Sequence, residues 1–215
     1  MNKLRNYFSF VLIAASAMAF TACSKDDPIP EQDQEEVGKT LILFQEVGWH
    51  GDFRTGHSHA IEGAKIDTIS FDEKGLPPVG FHLHLTEGKS YKMSLIAYDF
   101  AGRELQQTFL DRADIHQAVI LGAPDGILDY TYGDADNAQV GVTGYLHVLE
   151  IAPTFTLQYL LRHLNEGVKA GLTADDWNSK DYQNKFAGAT DLDLQFEIHP
   201  VEGDGHHHEE DEHDH

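Results

Sequence analysis

A single cysteine in 215 residues excludes a disulfide framework and any thiolate-rich zinc site, because both need several thiols. Bases are scarce too. Fifteen Lys and Arg stand against 36 Asp and Glu, so nucleic acid and anionic lipid headgroups are poor partners and cations are natural ones. The same acidity promotes solubility in its own right. Catalytic signatures are missing: there is no Gly-x-Ser-x-Gly elbow, no His-Glu-x-x-His helix and no phosphate-cradling glycine loop. The chain is not read as an enzyme, and the enzymatic alternative left open is a metal-dependent hydrolase using three histidines around an open coordination position.

What the sequence does have is histidine, 14 in all, many of them in His-x-His pairs or near the C-terminus. Neutral imidazole is a common ligand for zinc and its neighbours near pH 7. His82 and His84 are two apart in a stretch where Val79, Phe81, Leu83 and Leu85 alternate with Gly80, His82, His84 and Thr86. In a strand such residues share a face about 7 Å apart, opposite the apolar face. They are read either as metal ligands or as two exposed polar residues. His57 and His59 fall in a Gly-rich polar stretch that begins at Trp49-His50-Gly51-Asp52. If that loop folds onto the neighbouring strand, His57, His59, His82 and His84 make a tetrahedral set, with His50 or Asp52 replacing a missing member. His116, His147 and His163 are weaker candidates: His147 and His163 share parity with apolar neighbours and read as hydrogen-bonded core residues, and His116 beside Asp114 reads as a supporting or capping residue. After Pro200, a tail with His206, His207, His208, His213 and His215 among carboxylates is expected to be flexible and to gather divalent metal. An appended purification tag is the alternative for that tail.

The start of the chain carries a different signal. Residues 1–22 have a basic beginning at Lys3 and Arg5, an apolar run from Tyr7 to Phe20 that is short for a membrane span, and a small-residue end before Cys23. Phe20-Thr21-Ala22-Cys23 resembles the lipobox of bacterial lipoproteins, with Phe20 where Leu is usual. That resemblance implies cleavage before Cys23 and acylation of its sulfur, which leaves no free thiol. Residues 23–38, rich in Pro, Gln and acid, read as a flexible tether. Cys23-Ser24-Lys25-Asp26-Asp27 also resembles the short acidic signal that sends some Gram-negative lipoproteins to the cell surface.

Residues 39–200 are expected to form one domain. Strands are expected over Thr40–Val47, Lys65–Phe71, Val79–Thr86, Tyr91–Tyr98, Glu104–Leu110, His116–Leu121, Ile127–Tyr132, Thr143–Ile151, Phe155–His163 and Leu192–Ile198. Thr173-Ala174-Asp175-Asp176 has the form of a capping box and opens a short helix toward Phe186. Short strands at this spacing predict an all-β protein, an antiparallel sandwich. Between about Leu85 and Ile198 the chain resembles a family of small β-sandwich lipoproteins associated with TonB-dependent receptors. The resemblance is carried by Thr86-Glu87-Gly88-Lys89-Ser90-Tyr91, Asp114-Ile115-His116-Gln117, Leu160-Leu161-Arg162-His163-Leu164 with Lys169 beyond, and Gly188-Ala189-Thr190-Asp191-Leu192-Asp193. A Pro that members carry after the Leu-Arg-His step is replaced here by Leu164-Asn165-Glu166. The family implies an immunoglobulin-like fold and a place in the outer membrane beside a nutrient importer.

The expectation is thus a lipid-anchored outer-membrane protein, exposed at the cell surface, that captures zinc or another divalent metal for a TonB-dependent receptor. The alternative is an adhesin-like accessory module that binds a protein or glycan and meets metal incidentally.

Overall fold

Strands with one apolar face need a second sheet to bury it, and the ten strands among the described residues supply both sheets. The computed structural model describes residues 37–203. The expected signal peptide, Cys23, the expected tether through residue 36 and His206, His207, His208, His213 and His215 lie outside the described residues. In chain order the strands are β1 (Lys39–His50), β2 (His57–Ala60), β3 (Ile66–Phe71), β4 (His82–Thr86), β5 (Ser90–Tyr98), β6 (His116–Leu121), β7 (Leu128–Tyr132), β8 (Thr143–Val148), β9 (Phe155–Leu164) and β10 (Gly188–Val201).

One sheet has the order β2-β1-β5-β8-β7, and β3 also pairs with β1, alongside Thr40–Gln45. The other sheet has the order β4-β10-β9-β6 and is antiparallel except where β4 lies parallel to β10. The protein is an all-β sandwich of mostly antiparallel strands, as the alternation predicts. Ile42, Phe44, Leu95, Leu146, Leu161 and Phe196 lie between the sheets, all 2% exposed or less. The Phe44 and Phe196 rings meet across the gap at 5.8 Å. Each such side chain contributes about 1.5–3 kcal/mol by leaving water.

The second sheet is covered unevenly on its far side. Val119 of β6 with Leu160 and Leu164 of β9 packs under Phe186, and Val168, Leu172 and Tyr182 from the segment after β9 complete that patch. β6 is therefore buried on both faces. At the other edge, the outward residues of β4, His82 and His84, stay exposed.

Two expectations are corrected. Glu104–Leu110 is not a strand, because residues Gln106–Asp111 form a short helix. Leu105 packs partly buried against the core and Phe109 is fully buried, a spacing of four that suits a helix, while Gln107, which alternation would turn inward with them, is exposed. His57–Ala60 is not a loop but the edge strand β2, antiparallel to Val47–His50 of the 12-residue β1. The capping box forms as expected: Thr173 N–H and its hydroxyl both donate to the Asp176 carboxylate, at 2.9 and 3.0 Å. It opens a 3-10 turn, Ala174–Asn178, before the helical turn Tyr182–Lys185.

Candidate metal centre

Pairing of β6 with β9 sets His116 directly opposite His163. Both share the inward parity of Ala118 and Leu161, at the end of the sandwich closed by Phe109, whose ring is 5.3 Å from that of His116. The third member comes from an irregularity in β10. Thr190 pairs with Arg162 and Leu192 with Leu161, so Asp191 is an extra residue in a bulge. Strict alternation would send Asp191 outward, away from Leu192 and Leu194. The bulge instead brings its carboxylate inside with His116 and His163.

The three side chains are well hidden: His116 and Asp191 are 0% exposed and His163 14%. His116 Nε2 is 3.2 Å and His163 Nδ1 3.6 Å from Asp191 Oδ2. Neither contact is a hydrogen bond, and both nitrogens and both Asp191 oxygens are buried without a partner. The tautomer of His116 explains one of these gaps. Its Nδ1 lies 3.0 Å from the Arg112 carbonyl, which can only accept, so Nδ1 carries a proton and Nε2 is the nitrogen left to face the carboxylate, as a bare lone pair when the ring holds one proton. Lone pairs facing one another across 3.2 Å repel unless a cation or proton lies between them.

The spacing decides which cation fits. Two donors about 2.1 Å from one ion at the tetrahedral angle are about 3.4 Å apart, and two imidazole ring centres on such an ion about 5.2 Å apart. The observed donor separations of 3.2 and 3.6 Å bracket the first value, and the His116 and His163 rings are 4.8 Å apart at 75°. All three ligand atoms lie within 4.8 Å of one another. Two nitrogens and one carboxylate suit zinc or a neighbouring transition metal; calcium takes six to eight oxygens. The group can therefore hold a metal ion.

Its frame is built by neighbours. Lys169 Nζ donates to the carbonyls of Ala113, His116 and Ala138 at 2.5, 2.7 and 2.6 Å, fixing the backbone of His116. Burial lowers the Lys169 ammonium to about 8, while Asp134 and Asp114 pull the other way. Three carbonyl acceptors oppose that loss of the proton as well. Arg162, on the outer face, donates to the Phe186 and Gly188 carbonyls and to the Thr190 hydroxyl, gripping the bulge next to Asp191. Gly188 has φ +152°, and a Cβ there would come within 2.0 Å of the His163 carbonyl oxygen, so this close approach of β10 to β9 requires glycine.

The sharper histidine pairs of the sequence do not meet in this arrangement. His57 and His59 are on β2 of one sheet and have His50 as their ring neighbour, at 5.7 and 4.7 Å. His82 and His84 are on β4 of the other sheet, where His199 of β10 is their neighbour. The proposed four-histidine set is thus divided between two sheets, each half with a different third histidine, and its ligand atoms are not gathered as those of His116, His163 and Asp191 are. Asp52 is occupied in its own turn, accepting from Arg54 N–H. His147 is a hydrogen-bonded core residue, with Nδ1 2.8 Å from Ser90 Oγ and Nε2 3.2 Å from Thr131 Oγ1, stacked on Phe53 at 4.1 Å. Burial drives its pKa down to about 4, Asp129 opposing and Arg54 assisting.

Asp191 was missed because its parity in the sequence is the wrong one. The inward parity of His163 is also that of an ordinary core residue, and His116 beside Asp114 reads as a supporting or capping residue, so neither stands out as a ligand. The segments Asp114–Gln117, Leu160–Leu164 with Lys169, and Gly188–Asp193 contain His116, His163 and Asp191 together with Arg162, Lys169 and Gly188. No protein-family model matches the chain and no curated protein matches it, so the site is defined by its geometry. What fold and site define together is an all-β sandwich with a buried two-histidine, one-carboxylate donor set.

Proposed function

We propose that this protein binds one divalent transition-metal ion, zinc by preference, through His116 Nε2, His163 Nδ1 and Asp191, and carries it as cargo. The observation that carries the reading is three buried ligand atoms without a hydrogen-bond partner, His116 Nε2 and His163 Nδ1 lying 3.2 and 3.6 Å from Asp191 Oδ2, the spacing of neighbours around one tetrahedral ion. Leaving such atoms unpaired costs about 1–3 kcal/mol each, a cost an ion would remove. A donor set buried this deeply favours holding an ion over presenting it to a substrate. A cleft of about 290 Å³ lies beside the bulge, lined in part by Asp72, Glu73 and Asp193 together with Lys39 and Lys74. Backbone N–H groups of Leu76 and Lys74 hold the Asp72 carboxyl below its ordinary range, so it is charged.

In this reading Cys23 anchors the protein to the outer membrane, the histidine-rich tail raises the local supply of metal, and the sandwich delivers it to a TonB-dependent importer. The lipobox and the family resemblance support that part. X-ray absorption of the full mature chain loaded with one equivalent of zinc tests the centre. Two nitrogen and one oxygen protein ligands are expected, with the signal changed in both Asp191→Asn and His116→Asn. A spectrum of histidine alone, unchanged by either substitution, would overturn it.

A further inference from the structure

We infer a second metal site, on the surface, formed by His82, His84 and His199. Strand β4 runs parallel to β10 with His84 opposite His199 and His82 opposite Glu197. All three imidazoles leave the outer face of that sheet edge, which the segment after β9 does not cover. The ring centres are 4.8 Å apart for His82 and His84, 5.1 Å for His84 and His199, and 6.5 Å for His82 and His199. Two separations match the roughly 5.2 Å expected for imidazoles sharing one tetrahedral ion. The third needs His82 to swing inward by about an ångström, which an exposed side chain achieves by adjusting its torsions at about 1 kcal/mol. The rings are tilted at 52°, 74° and 55° to one another, and side-chain torsions must turn to bring one nitrogen of each within reach of a single ion. His50 and His59, by contrast, are stacked at 17°.

Three neutral nitrogens with a coordination position left to water suit zinc, copper(II) or nickel, and exposure makes the ion exchangeable. The site differs in kind from the buried centre. β10 carries Asp191 inward at one end and His199 outward at the other, and the tail histidines begin seven residues beyond His199. An ion taken up on this edge would sit on the strand that also supplies the buried carboxylate.

Histidine-directed carbethoxylation of the full mature chain, read peptide by peptide by mass spectrometry as zinc is added, tests the site. His82, His84 and His199 are expected to lose reactivity together along one saturation curve. In His199→Asn, His82 and His84 should need roughly tenfold more zinc for the same protection, while protection of the tail is unchanged. Asp191→Asn should leave the three curves where they are, which separates this site from the buried one. Separate curves for the three residues, or protection of His82 and His84 indifferent to His199→Asn, would overturn the inference. Loss of the apo melting transition is not expected, because His199 is only partly buried; His199→Gln repeats the measurement if it occurs.

Discussion

Replacing Asp191 by Asn should move the metal-free and zinc-bound proteins in opposite directions. In the absence of metal both carboxylate oxygens are buried without a hydrogen bond, near nitrogens of His116 and His163 that also have none. An unpaired buried polar group costs about 1–3 kcal/mol, and a charged one more. Asn has nearly the same shape, loses the charge, and brings an amide N–H₂ that can donate to those nitrogens. The apo variant should thus be more stable than the apo parent by about 1–3 kcal/mol. With zinc the order reverses. The parent gains RT ln(1 + [Zn]/Kd), about 2.7 kcal/mol at a hundredfold excess over Kd, whereas a neutral amide oxygen is too weak a ligand to retain that gain. For a domain of this size one kcal/mol shifts the melting temperature by about 2–4 °C, so zinc should raise the parent by roughly 5–11 °C through this centre and the variant hardly at all. Calorimetry of the full mature parent and variant, each with chelator and with zinc, measures all four values; the tail is common to both and cancels in the comparison. The reasoning fails if Asp191→Asn lowers apo stability by about 3–5 kcal/mol and leaves the zinc increment intact. That outcome would mean a proton bridges the pair and the group is a buried ion pair.

Further expectations concern the frame and the anchor. His147 is held neutral, with a folded pKa of about 4 against an ordinary 6.5, so its contribution is complete above pH 6.5 and is lost as pH falls toward 4, about 3 kcal/mol in all; unfolding free energies at pH 7.5 and 4.5 should differ by that much more in the parent than in His147→Gln. Lys169→Met orphans three carbonyls and should cost about 3 kcal/mol by urea unfolding, with weaker metal binding because His116 loses its backbone tether. Gly188→Ala drives a Cβ into the His163 carbonyl and should destabilise by about 2 kcal/mol or more, seen in the same unfolding assay. Cys23→Ala should release the protein from the membrane fraction, and a variant that matures normally and remains there argues against lipidation.

Alternation was a dependable guide where a strand buries one clean face. Leu83 and Leu85 point in and His82 and His84 out, as the pattern of β4 requires. It misled at Glu104–Leu110, where Leu105 and Phe109 answer to a helical spacing that strand-like neighbours disguise. It also had no means of showing which strands become neighbours. His116 meets His163 because β6 lies beside β9, and His199 meets His84 because β4 runs parallel to β10; both pairings join segments distant in the chain. The inward parity of His163 was readable and is correct. Its meaning was not, since the same parity serves a ligand and a satisfied core residue such as His147.

The bulge at Asp191 makes the buried centre a matter of counting. Removing Thr190 would set Asp191 opposite Arg162, restore unbroken alternation, keep Leu192, Leu194, Phe196 and Ile198 on their present face and turn the carboxylate to the outer side of the sheet. Two chains with the same histidines and the same aspartate could then differ in whether they hold an ion at all. For this fold a one-residue gap in an alignment near the start of the last strand carries functional information that residue identity does not, and relatives should be sorted by that length before they are sorted by their ligands.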